Sequence, residues 1–249
     1  MQPEKAGRSV EVDPETAGLI DYAYACYRKS DGMFDITSGL LRKAWDFSSG
    51  NLPSRDAIAE LLPRIGLDKV GWCSSRLTFE IAGTELDLGG IGKEYATDRA
   101  AGICAAMGVR RGLVDLGGDI RVIGPLPDGG PWTIGIRHSR NPAPPMATVD
   151  LVSGALATSG DYERFVEVEG RRYSHILNPQ TGWPVRGLSS VSVISLDCPV
   201  AGSLATIAML KGRDGTAWLR SLGVRYVYLD EDGNFGGTEP TLNDPRPIR

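Results

Sequence analysis

The amino-acid sequence predicts an α+β protein in which mixed, mainly antiparallel sheets are flanked by helices. Predicted helices and strands do not alternate regularly, as they would in a doubly wound parallel sheet. Residues 131–196 are mostly a succession of strand patterns. Residues 224–237 (VRYVYLDEDGNFGG) predict a hairpin with an Asp-Gly-Asn turn. We expect residues 1–237 to form a single domain, or two packed lobes, before a proline-rich tail over 238–249.

Two helices are predicted before the first strands. Asp13 is a favourable N-cap with Pro14 in the first helical position, and Gly32 supplies a left-handed stop. After the turn-rich stretch DGMFDITSGLL, Ser54 caps a second helix that ends at Gly66. Two short strands, LTFEI and ELDL, then follow around an Ala-Gly-Thr turn.

The remaining elements follow from periodicity and from turn residues. In order they are a helix over about 93–107, the strand GLVDL, the strands WTIGIR, ATVDLV, ALATS, RFVEVEG, RRYSHIL and SVSVIS, a helix over about 200–211, and a shorter helix from Asp214 to Gly223. The segment NPAPP at 141–145 predicts a rigid turn between two of the strands.

The charge and hydropathy of the sequence argue against nucleic-acid binding and against a membrane-spanning helix. The 249-residue chain has a net charge of −4 and no Lys/Arg-rich run, so we expect no nucleic-acid partner. No run of about 18 apolar residues occurs, which excludes a predicted transmembrane helix. The N-terminal stretch MQPEKAGRSVEV lacks the apolar region of a signal peptide, and we therefore expect a cytoplasmic location.

The segment LDLGGIGKEYATDRAA at 86–101 joins a strand end, a glycine turn and a helix start. Exposed glycine N–H groups and the helix dipole favour phosphate, and Lys93 adds a positive charge. The segment matches neither of the two common glycine-rich phosphate motifs. Either phosphate binding or tight strand–helix packing explains the glycines. A partial echo, VDLGG at 114–118, predicts that two neighbouring strand ends converge.

Two further segments combine small and polar residues. The Thr-Ser-Gly sequence at 158–160 predicts a polar turn before Asp161, and His175 ends a strand beside turn-forming residues. A lone histidine is commonly structural, whereas its polar neighbours favour a functional role. In the predicted helix near residue 200, Gly202 and Thr206 share one face, which close helix packing alone would also explain.

Taken in order, these segments resemble the FAD:protein FMN transferases, the ApbE-like flavin transferases, over roughly residues 5–235. DGMFDIT resembles G-x-F-D-P-T, LDLGGIGKEYATD resembles D-L-G-G-I-A-K-G-Y-A-x-D, and LVDLGGDIRVIG resembles N-x-G-G-D-I-x-x-x-G. ALATSGDYERF and YSHILNPQTGWPV resemble T-S-G-D-Y-x-R and S-H-I-x-D-P-x-T-G-x-P. CPVAGSLATIAMLKG matches A-D-A-L-A-T-A-x-x-x-x-G imperfectly. The resemblance implies an ApbE-like fold.

The resemblance also implies a reaction. FAD is cleaved at its pyrophosphate, FMN passes to a threonine of an acceptor flavoprotein, and AMP leaves with the assistance of Mg²⁺. His175 and Lys93 are the implied catalytic residues, and the Gly92 carbonyl and Thr206 hydroxyl are the implied metal ligands. The implied flavin-nucleotide contacts are Thr37, Gly89, Gly90, Ile91, Lys93, Gly118, Asp119, Thr158, Ser159, Gly160, Asp161 and His175.

Two departures from the family pattern affect these expectations. The aspartate of A-D-A-L-A-T aligns with Gly202, so Mg²⁺ binding is expected to be weakened. Asp197, Asp119 and Asp161 stay open as substitutes. The family's usual N-terminal strand and helix, which precede the region matching residue 5, are expected to be missing. Truncation, a misplaced start codon or a partner chain would each explain this, and a homodimer would cover the exposed sheet edge.

Two other functions stay open. One is a non-catalytic FAD-binding or flavin-carrier protein, in which Gly202 marks a lost activity. The other is an FAD pyrophosphate hydrolase, which needs a metal but no acceptor protein.

Overall fold

The structure is a computed structural model that describes residues 7–138, 140 and 145–238. These residues group into two compact units. The first unit comprises the chain up to Gly90 together with Arg164–Val185, and the second comprises Ile91–Glu163 together with the chain from Arg186 onward. Residues 239–249 of the expected tail, and residues 141–144 of the predicted NPAPP turn, lie outside the described residues.

The α-helices and strands are numbered here in chain order. They are β1 (Ser9–Glu11), α1 (Pro14–Lys29), α2 (Arg55–Leu61), β2 (Val70–Cys73), β3 (Arg76–Phe79), α3 (Gly92–Ala106), β4 (Gly112–Leu116), β5 (Asp119–Gly124), β6 (Trp132–Ile136), β7 (Ala147–Leu151), β8 (Gly154–Gly160), β9 (Phe165–Val168), β10 (Arg171–Ser174), β11 (Leu188–Ser195), α4 (Cys198–Leu210), α5 (Gly215–Ser221), β12 (Arg225–Asp230) and β13 (Phe235–Gly237). Short 3₁₀ helices cover Ser38–Lys43, Leu62–Arg64, Leu67–Lys69 and Gly212–Asp214.

Both helices of the first unit begin at the predicted caps. The Asp13 carboxylate accepts hydrogen bonds from the backbone N–H groups of Glu15 and Thr16, so the start of α1 is satisfied. Ser54 accepts from Ala57 N at the start of α2. Beyond α1, Gly32 has the predicted left-handed conformation, with φ of +79°. Local side-chain hydrogen bonds therefore set both helix starts. The predicted end of the second helix at Gly66 is wrong, because α2 ends at Leu61 and a 3₁₀ turn over Leu62–Arg64 follows.

The strands of the first unit differ from the sequence prediction. β3 lies between β1 and β2 in an antiparallel sheet, and neither of these two partners was predicted. β1 has only three residues and β2 contains a glycine, so both patterns are weak. The predicted strand ELDL is wrong, because the Asp87 backbone N–H donates to Ile36 O at 2.7 Å and the buried Glu85 carboxylate pairs with Arg42. Of the two strand ends that were expected to converge, only the end of β4 therefore exists.

Aromatic rings fill the core of the first unit. Trp45 stacks on Phe47 with ring centroids 5.4 Å apart and meets Trp183 edge-on at the same distance. The Trp45 indole N–H donates to Gly182 O at 2.8 Å, so this buried donor is satisfied. Leu40, Leu41, Ile58, Leu61 and Ile65 complete the core.

The second unit is built on a six-stranded sheet. Its order is β13-β12-β11-β8-β5-β4, and every neighbouring pair is antiparallel. The antiparallel hairpin β6–β7 contributes to the same apolar core, while α3 packs on β4 and β5 and α4 on β8 and β11. The α+β prediction is confirmed. Strand β5 was missed because the sequence DIRVIG directly follows a glycine turn whose residues, Gly117 and Gly118, have φ of +64° and +91°.

The predicted helices of the second unit are present within one or two residues of their expected bounds. Asp197 caps α4 by accepting from Val200 N at 2.9 Å. Asp214 occupies the N-cap position of α5, but its side chain makes no capping hydrogen bond. Among the described helices, none is long and apolar enough to cross a membrane.

Candidate functional site

The start of α3 carries a cation held against a buried carboxylate. Lys93 Nζ lies 3.0 Å from Asp119 Oδ2 and 3.4 Å from the Gly117 carbonyl oxygen. Asp119, the first residue of β5, is only 1% exposed, so burial raises its pKa while the Lys93 ammonium opposes that rise. The Lys93 side chain is 46% exposed and can still reach a ligand. The geometry provides a positively charged, half-open position beside a helix N-terminus.

The neighbouring residue, Glu94, is a second buried carboxylate. It is 7% exposed, and its Oε2 atom has no hydrogen-bond partner among the described residues. Burial, reinforced by the negative charge of Asp119, raises the pKa of Glu94 to about 7. Sequence reasoning missed this residue. The available signal was that the motif D-L-G-G-I-A-K-G-Y-A has glycine where this chain has Glu94.

Glu94 lies directly against Gly202 of α4. A Cβ atom at position 202 would be 2.5 Å from Glu94 Cγ and 2.7 Å from Glu94 Oε1, far inside normal contact distance. Only glycine fits at position 202 while Glu94 keeps this position. One turn further along α4, Thr206 Oγ1 lies 2.7 Å from Ser159 Oγ. The second unit thus places a carboxylate against Gly202 and a pair of hydroxyls at Thr206, one turn further along α4.

The Thr-Ser-Gly segment expected to form a polar turn is instead part of β8. Thr158, Ser159 and Gly160 pair with β11, and Thr158 Oγ1 lies 2.7 Å from Ser192 Oγ. The predicted strand ALATS is confirmed and the turn is wrong, because all three residues pair in register with the buried strand β11. The Thr158 backbone N–H hydrogen-bonds Asp119, so β8 also positions the buried carboxylate.

The three aspartates considered as substitutes for a carboxylate at position 202 already have partners. Asp119 pairs with Lys93, and Asp197 caps α4. Asp161 receives a bidentate pair of hydrogen bonds from Arg140, with distances of 2.8 and 2.7 Å. Within the described part of the chain, no group of three His, Cys, Asp or Glu residues is placed to hold a metal ion. Any cation here would also need hydroxyl or carbonyl oxygens.

Other predicted positions in the second unit form the edges of this site. Gly92 begins α3, and open space surrounds the position of a Cβ atom there. Ile91 is buried beside it, at 1% exposure. Gly118 donates its backbone N–H to Asp115 Oδ1 at 2.8 Å, which closes the turn before Asp119.

Four predicted positions belong to the first unit. Thr37 is fully buried, where its hydroxyl donates to Asp35 Oδ1 at 2.6 Å and accepts from a backbone N–H. His175 follows β10 and is half-buried, with Nδ1 3.1 Å from a backbone carbonyl. Gly89 donates its N–H to a nearby carboxylate at 2.8 Å, and a Cβ at Gly90 would be 3.4 Å from a phenylalanine ring. Their contacts with a flavin nucleotide stay predictions.

The fold and this cluster define a class: an α+β protein with antiparallel sheets and a lysine–carboxylate site at a helix start. The model of the ApbE family matches residues 2–228, and the chain belongs to this family. The resemblance drawn from the sequence motifs is therefore confirmed.

Two proteins that are similar to this chain are both named FAD:protein FMN transferase. The FAD:protein FMN transferase of Rhodobacter capsulatus is 35% identical over 94% of this chain and 46% of its own length. The protein of the same name from Vibrio cholerae is 30% identical over 89% of this chain and 69% of its own length. The chain thus spans less than half of the first of these relatives.

Solved structures agree in fold. The ApbE protein of Thermotoga maritima superposes with a TM-score of 0.86 at 37% identity, covering 94% of this chain and 79% of that protein. The flavinyl transferase ApbE of Pseudomonas stutzeri, in its apo form, gives 0.81 at 30% identity, with 96% and 76% covered.

Proposed function

We propose that this chain is an FAD:protein FMN transferase, which moves FMN from FAD to a threonine of an acceptor flavoprotein and releases AMP. The observation that carries the proposal is the half-exposed Lys93 ammonium at the start of α3, held 3.0 Å from the buried Asp119 carboxylate. An ammonium fixed at a helix N-terminus suits a pyrophosphate. The relatives that share this fold supply the name of the reaction.

The reaction is a phosphoryl transfer in which positioning and charge neutralisation dominate. The threonine oxygen forms a bond to the phosphorus of the FMN half, and the pyrophosphate P–O bond breaks. The bonding electrons leave with AMP, and the threonine proton passes to a base. We assign Lys93 to the phosphate oxygens and His175 to the proton or to a phosphate contact. Asp119 pairs with the Lys93 ammonium and so orients it, and its predicted contact with the flavin nucleotide stays a prediction.

The residues present fit a divalent cation. The second unit holds a buried carboxylate oxygen on Glu94 that lacks a hydrogen-bond partner within the described ranges, and hard cations favour such oxygens. The Gly92 carbonyl and Thr206 hydroxyl are the other candidate ligands. Bound Mg²⁺ would supply positive charge against the pyrophosphate oxygens.

The test follows flavin and AMP separately. The chain is incubated with FAD, Mg²⁺ and a set of threonine-bearing flavoprotein acceptors, each matched with its Thr→Ala variant. Covalent flavin is read by in-gel fluorescence and AMP by chromatography. The proposal predicts label and AMP in equal amounts, both dependent on the threonine. AMP without acceptor would instead indicate the pyrophosphate hydrolase, and FAD binding without turnover would indicate the carrier.

The cytoplasmic location and the homodimer that we expect from the sequence stay predictions. A cytoplasmic location is tested by cell fractionation. A homodimer is tested by light scattering of the purified chain.

A further inference from the structure

We propose that Glu94 is the metal-ligand carboxylate of this chain, supplied by α3 in place of the aspartate that the family motif puts at position 202 on α4. The inference rests on the proposed function. It concerns which residue of this chain binds the cation.

The two motif departures are reciprocal. The family pattern has glycine at position 94 and aspartate at position 202, whereas this chain has glutamate at 94 and glycine at 202. The number of carboxylates is unchanged, and the longer side chain is on the other helix. Loss of the aspartate alone would weaken the site, but a matched gain preserves its charge.

The packing makes the exchange physically consistent. The position that a Cβ atom at residue 202 would need is blocked by the Glu94 side chain, whose Oε1 lies 2.7 Å from it. A carboxylate therefore reaches the same place from the opposite helix. An aspartate at 202 and a glutamate at 94 could not both adopt these positions.

Burial indicates that the carboxylate has a purpose other than packing. A carboxylate that is 93% buried is costly unless hydrogen bonds or a cation satisfy it, yet Glu94 Oε2 has no partner among the residues that the structure describes. The nearest cationic side chain on α3, Lys93, is directed to Asp119. A bound divalent cation would satisfy the unpaired oxygen.

The oxygen set agrees with this ligand chemistry. Thr206 lies on the same face of α4 as Gly202, one turn further on. The Ser159 hydroxyl holds the Thr206 side chain at 2.7 Å, which orients it. The three aspartates that the sequence left open are engaged as a cap or in ion pairs. Of these four carboxylates, Glu94 is the one for which the described residues provide no ion pair and no helix cap.

The experiment is a four-protein cycle with Mn²⁺ as the probe. Wild type, Glu94→Gly, Gly202→Asp and the double variant are titrated with Mn²⁺ in the presence of saturating FAD, and free Mn²⁺ is followed by electron paramagnetic resonance. Glu94→Gln is added as a variant that keeps the side-chain volume. Glu60→Gln, at an exposed α2 position, controls for nonspecific loss of a carboxylate. Circular dichroism confirms that each protein is folded.

We expect Glu94→Gly and Glu94→Gln each to weaken Mn²⁺ binding by about tenfold or more, since even indirect support of a ligand is worth about 10–100-fold. Gly202→Asp alone should weaken binding, because its side chain collides with Glu94. The double variant should recover most of the wild-type affinity, giving strong coupling between the two positions. Glu60→Gln should bind as wild type does.

Two results would overturn the inference: wild-type Mn²⁺ affinity in Glu94→Gln, or no Mn²⁺ binding by the wild type. The proposed function fails separately. Threonine-dependent labelling with Mn²⁺ binding indifferent to Glu94 would remove the ligand assignment but keep the transferase. Glu94-dependent Mn²⁺ binding without labelling would do the opposite.

Discussion

Replacing Glu94 by glutamine should change how stability depends on pH when no metal is present. Burial and the Asp119 charge raise the Glu94 pKa from 4.5 to about 7 in the folded protein. The folded state then binds this proton more tightly than the unfolded chain does. The resulting stabilisation is fully present below pH 4.5 and is lost as pH rises through 7. Glutamine does not titrate, so Glu94→Gln lacks this loss.

The magnitude follows from the shift. A shift from 4.5 to about 7 corresponds to about 3 kcal/mol at 1.36 kcal/mol per pKa unit, of which about 2–3 kcal/mol falls between pH 5 and pH 8. Because Glu94 is only 7% exposed, solvent screening takes little from this figure. Between pH 5 and pH 8, the free energy of unfolding of Glu94→Gln should therefore rise by about 2–3 kcal/mol relative to that of wild type.

The assay is urea unfolding of both proteins at pH 5 and pH 8 with a chelator present. Comparing the two proteins cancels the titration of groups that they share. Glu60→Gln, which alters an exposed carboxylate, should show no pH-dependent difference. A difference between Glu94→Gln and wild type that stays constant across the range, within roughly 0.5 kcal/mol, would refute the raised pKa.

Three further variants test the site and the fold. Lys93→Met leaves its buried carboxylate partner unpaired, so stability should fall by about 1–3 kcal/mol and FAD should bind more weakly; unchanged FAD affinity would remove Lys93 from the nucleotide site. His175→Ala should slow acceptor labelling more than it weakens FAD binding, measured by labelling rate and FAD titration, and the opposite pattern would make it a binding residue. Gly182→Ala should destabilise the protein by about 2–4 kcal/mol in urea unfolding, because its φ is +72° and the new Cβ would lie 2.3 Å from Ile58 Cγ2. Gly50→Ala is its control, since φ is +71° but nothing lies within 4 Å; equal losses in both would show that packing against Ile58 has no effect.

The site shows where sequence reasoning reached its limit. Lys93 was assigned from its place after a glycine turn, and it does lie at the start of a helix beside a buried carboxylate. The segment at 158–160 was predicted to turn because small polar residues favour turns, yet β8 runs through all three residues, one residue beyond the predicted strand ALATS. The buried neighbouring strands that decide this are distant in sequence.

What the sequence determined by itself was largely local, together with the ordered motifs that place the chain in its family. The cap at Asp13 depends on groups within three residues of it, so the residues alone specify that helix start. The position of Glu94 against Gly202 was decided only by the tertiary structure. This contact requires α3 and α4 to pack so closely that the Glu94 side chain takes the position a Cβ atom would need at Gly202. Neither hydrophobic periodicity nor motif spacing predicts this contact, because it arises from the packing of residues that are distant in sequence.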